Sequence, residues 1–276
     1  MKTGVRYSLR MVLFVAATIG AGLAQGASPE KHVKAIQAEQ PQDVIAASAL
    51  CQRVRASGHN FIDRREIDPA TLYSDLSALM QKSEEVVLVS DGNHARALSP
   101  SGEHVIEYFD AKVLRTWKGS HKVGDLLTFA MPFGAVQCEL GPLQSGSSFS
   151  TAFTMTGGFD WETIRYSGPY VLFLRHSQGN ETKVVPGLRL TGGDGMQGLF
   201  VLHSLDKYNE ACNGNIYVPM ERCKAEVDVS QEPVAIRYRK DPLKKKYEGM
   251  PASTFLKEVQ SLANSLGYTT QDSKAK

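Results

Sequence analysis

The fold is decided in the middle of the chain, by residues 104–131, which read HVIEYFDAKVLRTWKGSHKVGDLLTFAM. Apolar side chains recur at every second position of 104–117, and this period predicts a long strand with one buried side. The residues that share this side are Val105, Phe109, Ala111, Val113 and Trp117, with Glu107 and Arg115 interrupting it near its ends. A glycine-containing turn and a second apolar run, which ends at Pro132, complete a predicted β-hairpin.

Shorter strands surround this hairpin in the sequence. We predict them at 86–89, 136–138, 170–174, 183–190 and 199–202. Two of these, 86–89 and 170–174, are apolar on both faces and are expected to be central. Residues 91–103 and 141–168 are interpreted as loops because of their Gly and Ser content, and 191–198 as a glycine-rich turn. Several short strands around one long hairpin indicate a small barrel, since closure removes exposed sheet edges.

Helices are predicted on both sides of the strands. Asp43 is a candidate N-cap for a helix that runs to about residue 55. Asp68 followed by Pro69 marks the start of a second helix, to about residue 82. Near the end of the chain, Pro251 opens a third helix, with apolar residues on one face at Phe255, Val259, Leu262 and Leu266.

The strand motifs resemble those of a known class of exported β-barrels. They are FDAKVLRTWKG at 109–119, Gly124-Asp125, GPYVLFL at 168–174 and GMQGLF at 195–200. The pattern is similar to the OB-like barrels of netrin and tissue-inhibitor-of-metalloproteinase modules, and to uncharacterised bacterial secreted proteins that carry such a barrel. The resemblance covers roughly residues 84–203 and implies a fold that is mainly β (α+β overall). We expect a closed or partly open OB-like barrel with two N-terminal helices and one C-terminal helix.

One function of that family does not carry over. The metalloproteinase inhibitors use an N-terminal cysteine, whose amine and carbonyl reach the zinc of the target enzyme. The first cysteine of this chain is Cys51, far inside the sequence. The resemblance therefore informs the fold more than the function.

Composition and the N-terminal residues bear on the class of protein and its location. With 276 residues, 42% apolar and 22% charged, the chain has the composition of a globular protein rather than of a disordered chain, a coiled coil or a multi-span membrane protein. Lys2, Arg6 and Arg10 precede an uncharged apolar run at 11–23, which is shorter than a spanning helix requires. We therefore predict a signal peptide at 1–26, export to the periplasm or the extracellular space, and no membrane span. The net charge of +2 gives no reason to expect nucleic acid as a partner.

The chain then divides into four further parts. We predict a helical segment at 27–83, the OB-like barrel domain at 84–223, a basic linker at 224–250, and a C-terminal helix and frayed tail at 251–276. Residues 237–246 of the linker hold six basic residues and Asp241. We interpret this run as solvated, with an anionic lipid surface as the alternative partner.

All four cysteines lie in the exported part, and an even number in an oxidising compartment predicts two disulfide bonds. Four cysteines allow three pairings. The Asn-Gly turn between Cys212 and Cys223 favours a local bridge, which leaves Cys51 to pair with Cys138. The chain has no Cys-x-x-Cys motif and no nearby pair of histidines, so we predict no metal site.

No sequence motif identifies a catalytic residue or a cofactor. Gly-x-Ser-x-Gly, His-Glu-x-x-His, an EF-hand loop and a P-loop are all missing from the sequence. The candidate ligand- or partner-binding residues are aromatic side chains in a Gly-rich stretch and histidines beside the loop before the long strand, namely Phe159, Trp161, Tyr166, His94 and His104. Packing over the barrel end and loop filling are the alternative interpretations of these residues. Trp117 is interpreted as a core residue because it lies on the apolar side of its strand.

These observations favour an exported, non-enzymatic binding module that recognises a protein or a cell-envelope component through the loops at 91–104 and 141–168. The alternative is an extracytoplasmic hydrolase whose site is assembled only in the fold.

Overall fold

The computed structural model describes residue 45 and residues 47–57, 61–90, 94–99, 102–139, 149–156, 169–176, 188–202 and 232–272. Its helices are α1 (Ala49–Ser57), α2 (Leu76–Lys82), α3 (Lys244–Tyr247) and α4 (Ala252–Ser265). Two short 3-10 helices lie at Pro69–Thr71 and Gly193–Gly195. Its strands are β1 (Phe61–Arg65), β2 (Glu85–Val89), β3 (His94–Leu98), β4 (Val105–Lys118), β5 (Leu126–Met131), β6 (Gly134–Glu139), β7 (Phe149–Thr156), β8 (Tyr170–His176), β9 (Leu188–Leu190), β10 (Leu199–Val201) and β11 (Gln271–Asp272).

Five strands close into a barrel. β4 pairs antiparallel with both β2 and β5, and β8 pairs antiparallel with both β2 and β9. A parallel pairing between β5 and β9 closes the ring. This connectivity is that of an OB-like Greek-key barrel, and the predicted fold class is confirmed. The interior is filled by apolar side chains from all five strands, including Val87, Val89, Phe109, Ala111, Val113, Leu127, Phe129, Met131, Leu172, Leu174, Leu188 and Leu190.

A second, three-stranded sheet has the order β1-β7-β6. A disulfide bond between Cys51 of α1 and Cys138 of β6 fastens the first helix to this sheet. Leu50 and Val54 of the same helix are buried beside it, in one cluster with Val136. The predicted pairing of Cys51 with Cys138 is therefore confirmed, whereas Cys212 and Cys223 lie outside the described residues.

An outer layer covers the outward face of β2, β8 and β10. We use this name for α2, α4 and residues 232–250, whose apolar side chains form one cluster with the outward-facing residues Val86, Val171, Phe173 and Phe200. The part of the predicted basic linker that the structure describes therefore packs on the barrel instead of extending into solvent. Its apolar residues explain the difference, because Val234, Ile236 and Leu243 are fully buried between the charged positions.

Trp117 is fully buried, so its interpretation as a core residue is confirmed. It does not, however, share a side with Val113, as the alternation in sequence predicted. The register between β2 and β4 shifts twice in this region. Such irregularities reverse which face a side chain occupies, and Trp117 therefore packs in the outer layer while Val113 points into the barrel.

The predicted helix at 69–82 is two separate elements. A 3-10 helix ends at Thr71, Leu72 is extended, and α2 begins only after Asp75, whose side chain accepts a hydrogen bond from the backbone N–H of Ala78. A short polar side chain that bonds a nearby backbone N–H favours a new helix start over a continuing helix. Leu72 consequently packs against the barrel interior, whereas Leu76 packs in the outer layer.

Both predicted loops contain strands. Residues 91–103 include β3, which pairs with β4, and 141–168 include β7, which pairs with β1 and β6. The predicted frayed tail also begins with a strand, since Gln271 and Asp272 pair with β4. The remainder of 141–168 lies outside the described residues. Among the described residues, no helix is both long enough and apolar enough to cross a membrane.

Candidate functional site

A cavity of about 350 Å3 opens between α2 and α4, on the outside of the barrel. Its walls come from the start of α2 and, far from it in the sequence, from the α3 region and one side of α4. The lining residues are Ser74, Asp75, Leu76, Ser77, Leu243, Lys246, Tyr247, Glu258, Ser261, Leu262 and Ser265. The apolar lining residues belong to the outer-layer cluster, so the polar lining residues project from well-packed helices.

A buried hydrogen-bond network positions two of these walls. The side chain of Gln197 accepts a hydrogen bond from the backbone N–H of Tyr73 at 2.7 Å and donates one to the Tyr73 carbonyl at 2.9 Å. It also donates to Asp241 at 2.9 Å, and the same carboxylate oxygen accepts from the backbone N–H of Leu243. Burial raises the pKa of Asp241. The glycine-rich turn that carries Gln197 therefore fixes both the approach to α2 and the start of α3.

Three polar side chains contact one another in the cavity wall. Lys246 Nζ lies 2.5 Å from Glu258 Oε1 and donates a hydrogen bond to the Tyr247 hydroxyl at 2.9 Å. Tyr247 in turn donates to the same Glu258 oxygen at 2.8 Å. The Lys246 ammonium also lies 4.7 Å from the centre of the Tyr247 ring, within the range of a cation–π contact. We call these three residues the Lys-Tyr-Glu cluster.

The environment holds each member of the Lys-Tyr-Glu cluster in one charge state at neutral pH. The hydrogen bond to Glu258 raises the pKa of Lys246, and burial raises the pKa of Tyr247. Burial alone opposes ionisation of Glu258, but the hydrogen bonds from Lys246 and Tyr247 outweigh it and lower the pKa of this carboxyl. A general acid or base works best with a pKa near the ambient pH. The pKa shifts of all three groups lead away from neutral pH.

A second polar group joins β2 to the turn between β4 and β5. The buried Glu85 carboxylate accepts hydrogen bonds from the backbone N–H and the hydroxyl of Ser120, at 2.9 and 3.0 Å. The same oxygen lies 3.2 Å from His121 Nδ1. The nearby Glu85 carboxylate raises the pKa of His121. Burial opposes ionisation of Glu85, but its contacts with His121 and Ser120 outweigh burial and lower its pKa. Ser120 thus donates to the carboxylate and His121 lies beside it, whereas nucleophilic catalysis requires the serine to bond to the histidine.

The residues that the sequence singled out are distributed differently. His94 is the first residue of β3 and pairs with Phe109, while His104 immediately precedes the Val105 that pairs with Leu98. The two histidines therefore lie at opposite ends of the β3–β4 ladder, about 16–17 Å apart at roughly 3.3 Å per residue. Phe159, Trp161 and Tyr166 lie outside the described residues.

The fold places the residues of the basic run at 237–246 in different environments. Lys244 and Lys246 form ion pairs with Glu248 and Glu258, and Asp241 is turned inward. Arg239, Lys240 and Lys245 are exposed. Among the described residues, no group of three or more His, Cys, Asp or Glu side chains is arranged to hold a metal ion.

The chain matches no protein-family model, no curated protein and no solved structure at a significant level.

Sequence reasoning did not identify the cavity. Two of its lining residues, Asp75 and Lys246, lie more than 160 positions apart in the sequence, and no motif spacing connects them. One signal was present: Lys246-Tyr247 and Glu258 lie on two consecutive helices joined by a short turn, so their proximity follows once both helices are known.

Proposed function

We propose that this chain is an exported, non-enzymatic binding module that takes a small ligand, or a side chain of a protein or envelope component, in the cavity between α2 and α4. The observation that carries the proposal is the Lys-Tyr-Glu cluster in the cavity wall, whose members are each held in one charge state. Cavities that bind small ligands combine apolar walls with a few fixed polar groups, and this cavity has both.

Export is supported by two observations. The N-terminal residues have the pattern of a signal peptide, and the Cys51–Cys138 disulfide belongs to an oxidising compartment. The hydrolase alternative draws on Glu85, Ser120 and His121. We do not adopt it, because His121 contacts the carboxylate rather than the serine hydroxyl whose proton it would have to accept.

A pair of variants in the last turn of α4 tests the cavity. Ser265 lines it, whereas the neighbouring Asn264 lines a different depression on the other side of the helix, and both residues are exposed. We expect Ser265→Trp to fill the cavity and Asn264→Trp to leave it open. A panel of small amines, carboxylates and neutral sugars is screened by ligand-observed NMR against both variants and the unmodified protein.

The proposal predicts at least one compound that binds the unmodified protein and Asn264→Trp but binds Ser265→Trp about tenfold more weakly or worse, as expected when a pocket is blocked. The proposal fails if no compound binds, or if Ser265→Trp binds the panel as well as Asn264→Trp does.

A further inference from the structure

We infer that the cavity between α2 and α4 takes an ammonium or guanidinium group carried on an alkyl chain, and that Lys246 occupies the position of this cation when no ligand is bound. The inference rests on the proposed function and adds the chemical class of the ligand. A lysine or arginine side chain of a partner and a free aliphatic amine share this chemistry.

The charge of the lining favours a cation. Its acidic members are Asp75 and Glu258, and its basic member is Lys246, so the described lining has a formal charge of −1. The charge of Lys246 is already opposed by Glu258 at 2.5 Å. An anionic ligand would therefore meet an excess of negative charge, whereas a cation would complete the charge balance.

Acceptor atoms remain in the cavity for such a ligand. Asp75 uses Oδ1 to cap α2, and Glu258 uses Oε1 for both Lys246 and Tyr247. The second oxygen of each carboxylate has no protein partner among the described residues. Ser74 and Ser261 add hydroxyl groups that likewise have no hydrogen bond in this part of the chain. An ammonium group has three donors and a guanidinium five, which suits a wall rich in acceptors.

The contacts of the Lys246 ammonium show how a cation of a ligand would be held in the cavity. Its ammonium bonds to Glu258 and lies over the ring of Tyr247, which together form a carboxylate and an aromatic face for one cation. The Lys246 side chain is 62% exposed, so it can leave this position at small cost. Leu76, Leu243 and Leu262 line the same space and provide apolar contact for an alkyl chain.

This arrangement makes Lys246 a competitor of the ligand. Its removal therefore changes the affinities for cationic and for anionic ligands in opposite directions. Replacing Lys246 by Met keeps an unbranched apolar side chain of similar length but frees Glu258 and the Tyr247 ring. A cationic ligand then binds more tightly, because it no longer displaces the protein's own ammonium. An anionic ligand held by Lys246 would instead be lost.

The test uses three five-carbon probes that differ only in their end groups: pentane-1,5-diamine, pentane-1,5-diol and pentanedioate. Their affinities are measured by calorimetry for the whole mature protein and for Lys246→Met, Glu258→Gln and Lys245→Met. Lys245 is the matched control, since it is an exposed lysine of the same helix that does not line the cavity. Thermal unfolding of each variant reports whether it is folded.

We expect the diamine to bind best, with an affinity that falls as salt is added. Lys246→Met should tighten diamine binding about two- to fivefold, in keeping with the loss of one exposed ion pair. Glu258→Gln should weaken it about tenfold or more, and Lys245→Met should leave it unchanged.

The inference is overturned if pentanedioate binds best, or if Lys246→Met leaves diamine binding unchanged or weakens it. If other compounds of the panel bind in a manner blocked by Ser265→Trp while the diamine does not, the ligand class is wrong and the proposed function stands. If Ser265→Trp blocks nothing, both fail.

Discussion

Gly119 lies where a side chain would collide with a buried carboxylate. Its φ is +117°, and a Cβ added to it would lie 1.8 Å from Glu85 Oε2. Glu85 is buried and fixed by its bonds to Ser120, so it has little freedom to move away. We expect Gly119→Ala to lower the free energy of unfolding by about 2–4 kcal/mol, measured by urea denaturation.

Gly124, in the same turn, is the matched control for this prediction. Its φ is +91°, and an added Cβ would meet nothing within 4 Å. Gly124→Ala therefore measures backbone strain alone, at about 1 kcal/mol. Equal losses in the two variants would show that the contact with Glu85 contributes nothing.

The Glu85–His121 pair makes part of the stability depend on pH. The pKa of His121 is raised above its ordinary 6.5 by Glu85, so its contribution is complete below 6.5 and is lost as the pH rises through the folded-state value. The pKa of Glu85 is lowered below 4.5, so its contribution is complete above 4.5 and is lost as the pH falls through the folded-state value. The stability that the pair contributes is therefore greatest between about pH 4.5 and 6.5.

We expect His121→Asn to cost about 1 kcal/mol in this window and less on either side of it, as measured by urea denaturation from pH 3 to 9. His176→Asn is the control, because His176 also contacts a glutamate, Glu84, but both of these side chains are more than half exposed. Its effect should stay small at every pH. A His121→Asn profile as flat as that of His176→Asn would contradict the prediction.

At the scale of single elements, the alternation in β4, the apolar runs of β5 and β8 and the helical spacing of apolar residues in α4 made these elements predictable from the sequence. β3 was missed because its alternation depends on Ala95 and Ala97, which are buried but have weak strand preference. β7 was missed because its flanking Gly and Ser residues dominated the interpretation, although Phe149, Thr151 and Phe153 alternate within it. The cavity was unpredictable for a different reason: it requires the relative placement of α2, α3 and α4, which no local pattern contains.

A disulfide bond reinforces the apolar contacts that attach α1 to the second sheet. The Cys51–Cys138 disulfide closes a loop of 87 residues between α1 and β6. A cross-link over such a separation restricts the unfolded chain strongly, and its removal is expected to cost about 4 kcal/mol. Cys51→Ser combined with Cys138→Ser tests this by urea denaturation, with Ser57→Ala at the end of the same helix as a control for local changes. Unchanged stability of the double variant would contradict the expectation.

At the scale of the whole molecule, the barrel and the outer layer share their strands. The sheet presents Leu172 to the barrel interior and Phe173 to the outer layer, and the same division holds for Val201 and Phe200 of β10. Phe200 lies 4.7 Å from Phe255 of α4, ring centre to ring centre, and 5.5 Å from Phe173. Neither layer is complete without the other, because each buries one face of the same strands. The two layers should therefore unfold together.

Phe255→Ala tests this coupling. Phe255 is fully buried on α4, and its truncation should lower the free energy of unfolding by about 3–5 kcal/mol. Trp117 reports on the outer layer by fluorescence once the second tryptophan, Trp161, is replaced by Phe, and the backbone amide NMR signals of β5 and β9 report on the barrel. The two signals should change at the same urea concentration in both the parent and the variant, as one cooperative unit requires.

Leu256→Ala is the control, since Leu256 is the next residue of the helix and only partly buried. It should lower the free energy of unfolding by about 1 kcal/mol. If Phe255→Ala moves the fluorescence transition to lower urea and leaves the transition of the β5 and β9 amide signals in place, α4 is an independent attachment, and the cavity between α2 and α4 opens without unfolding of the barrel.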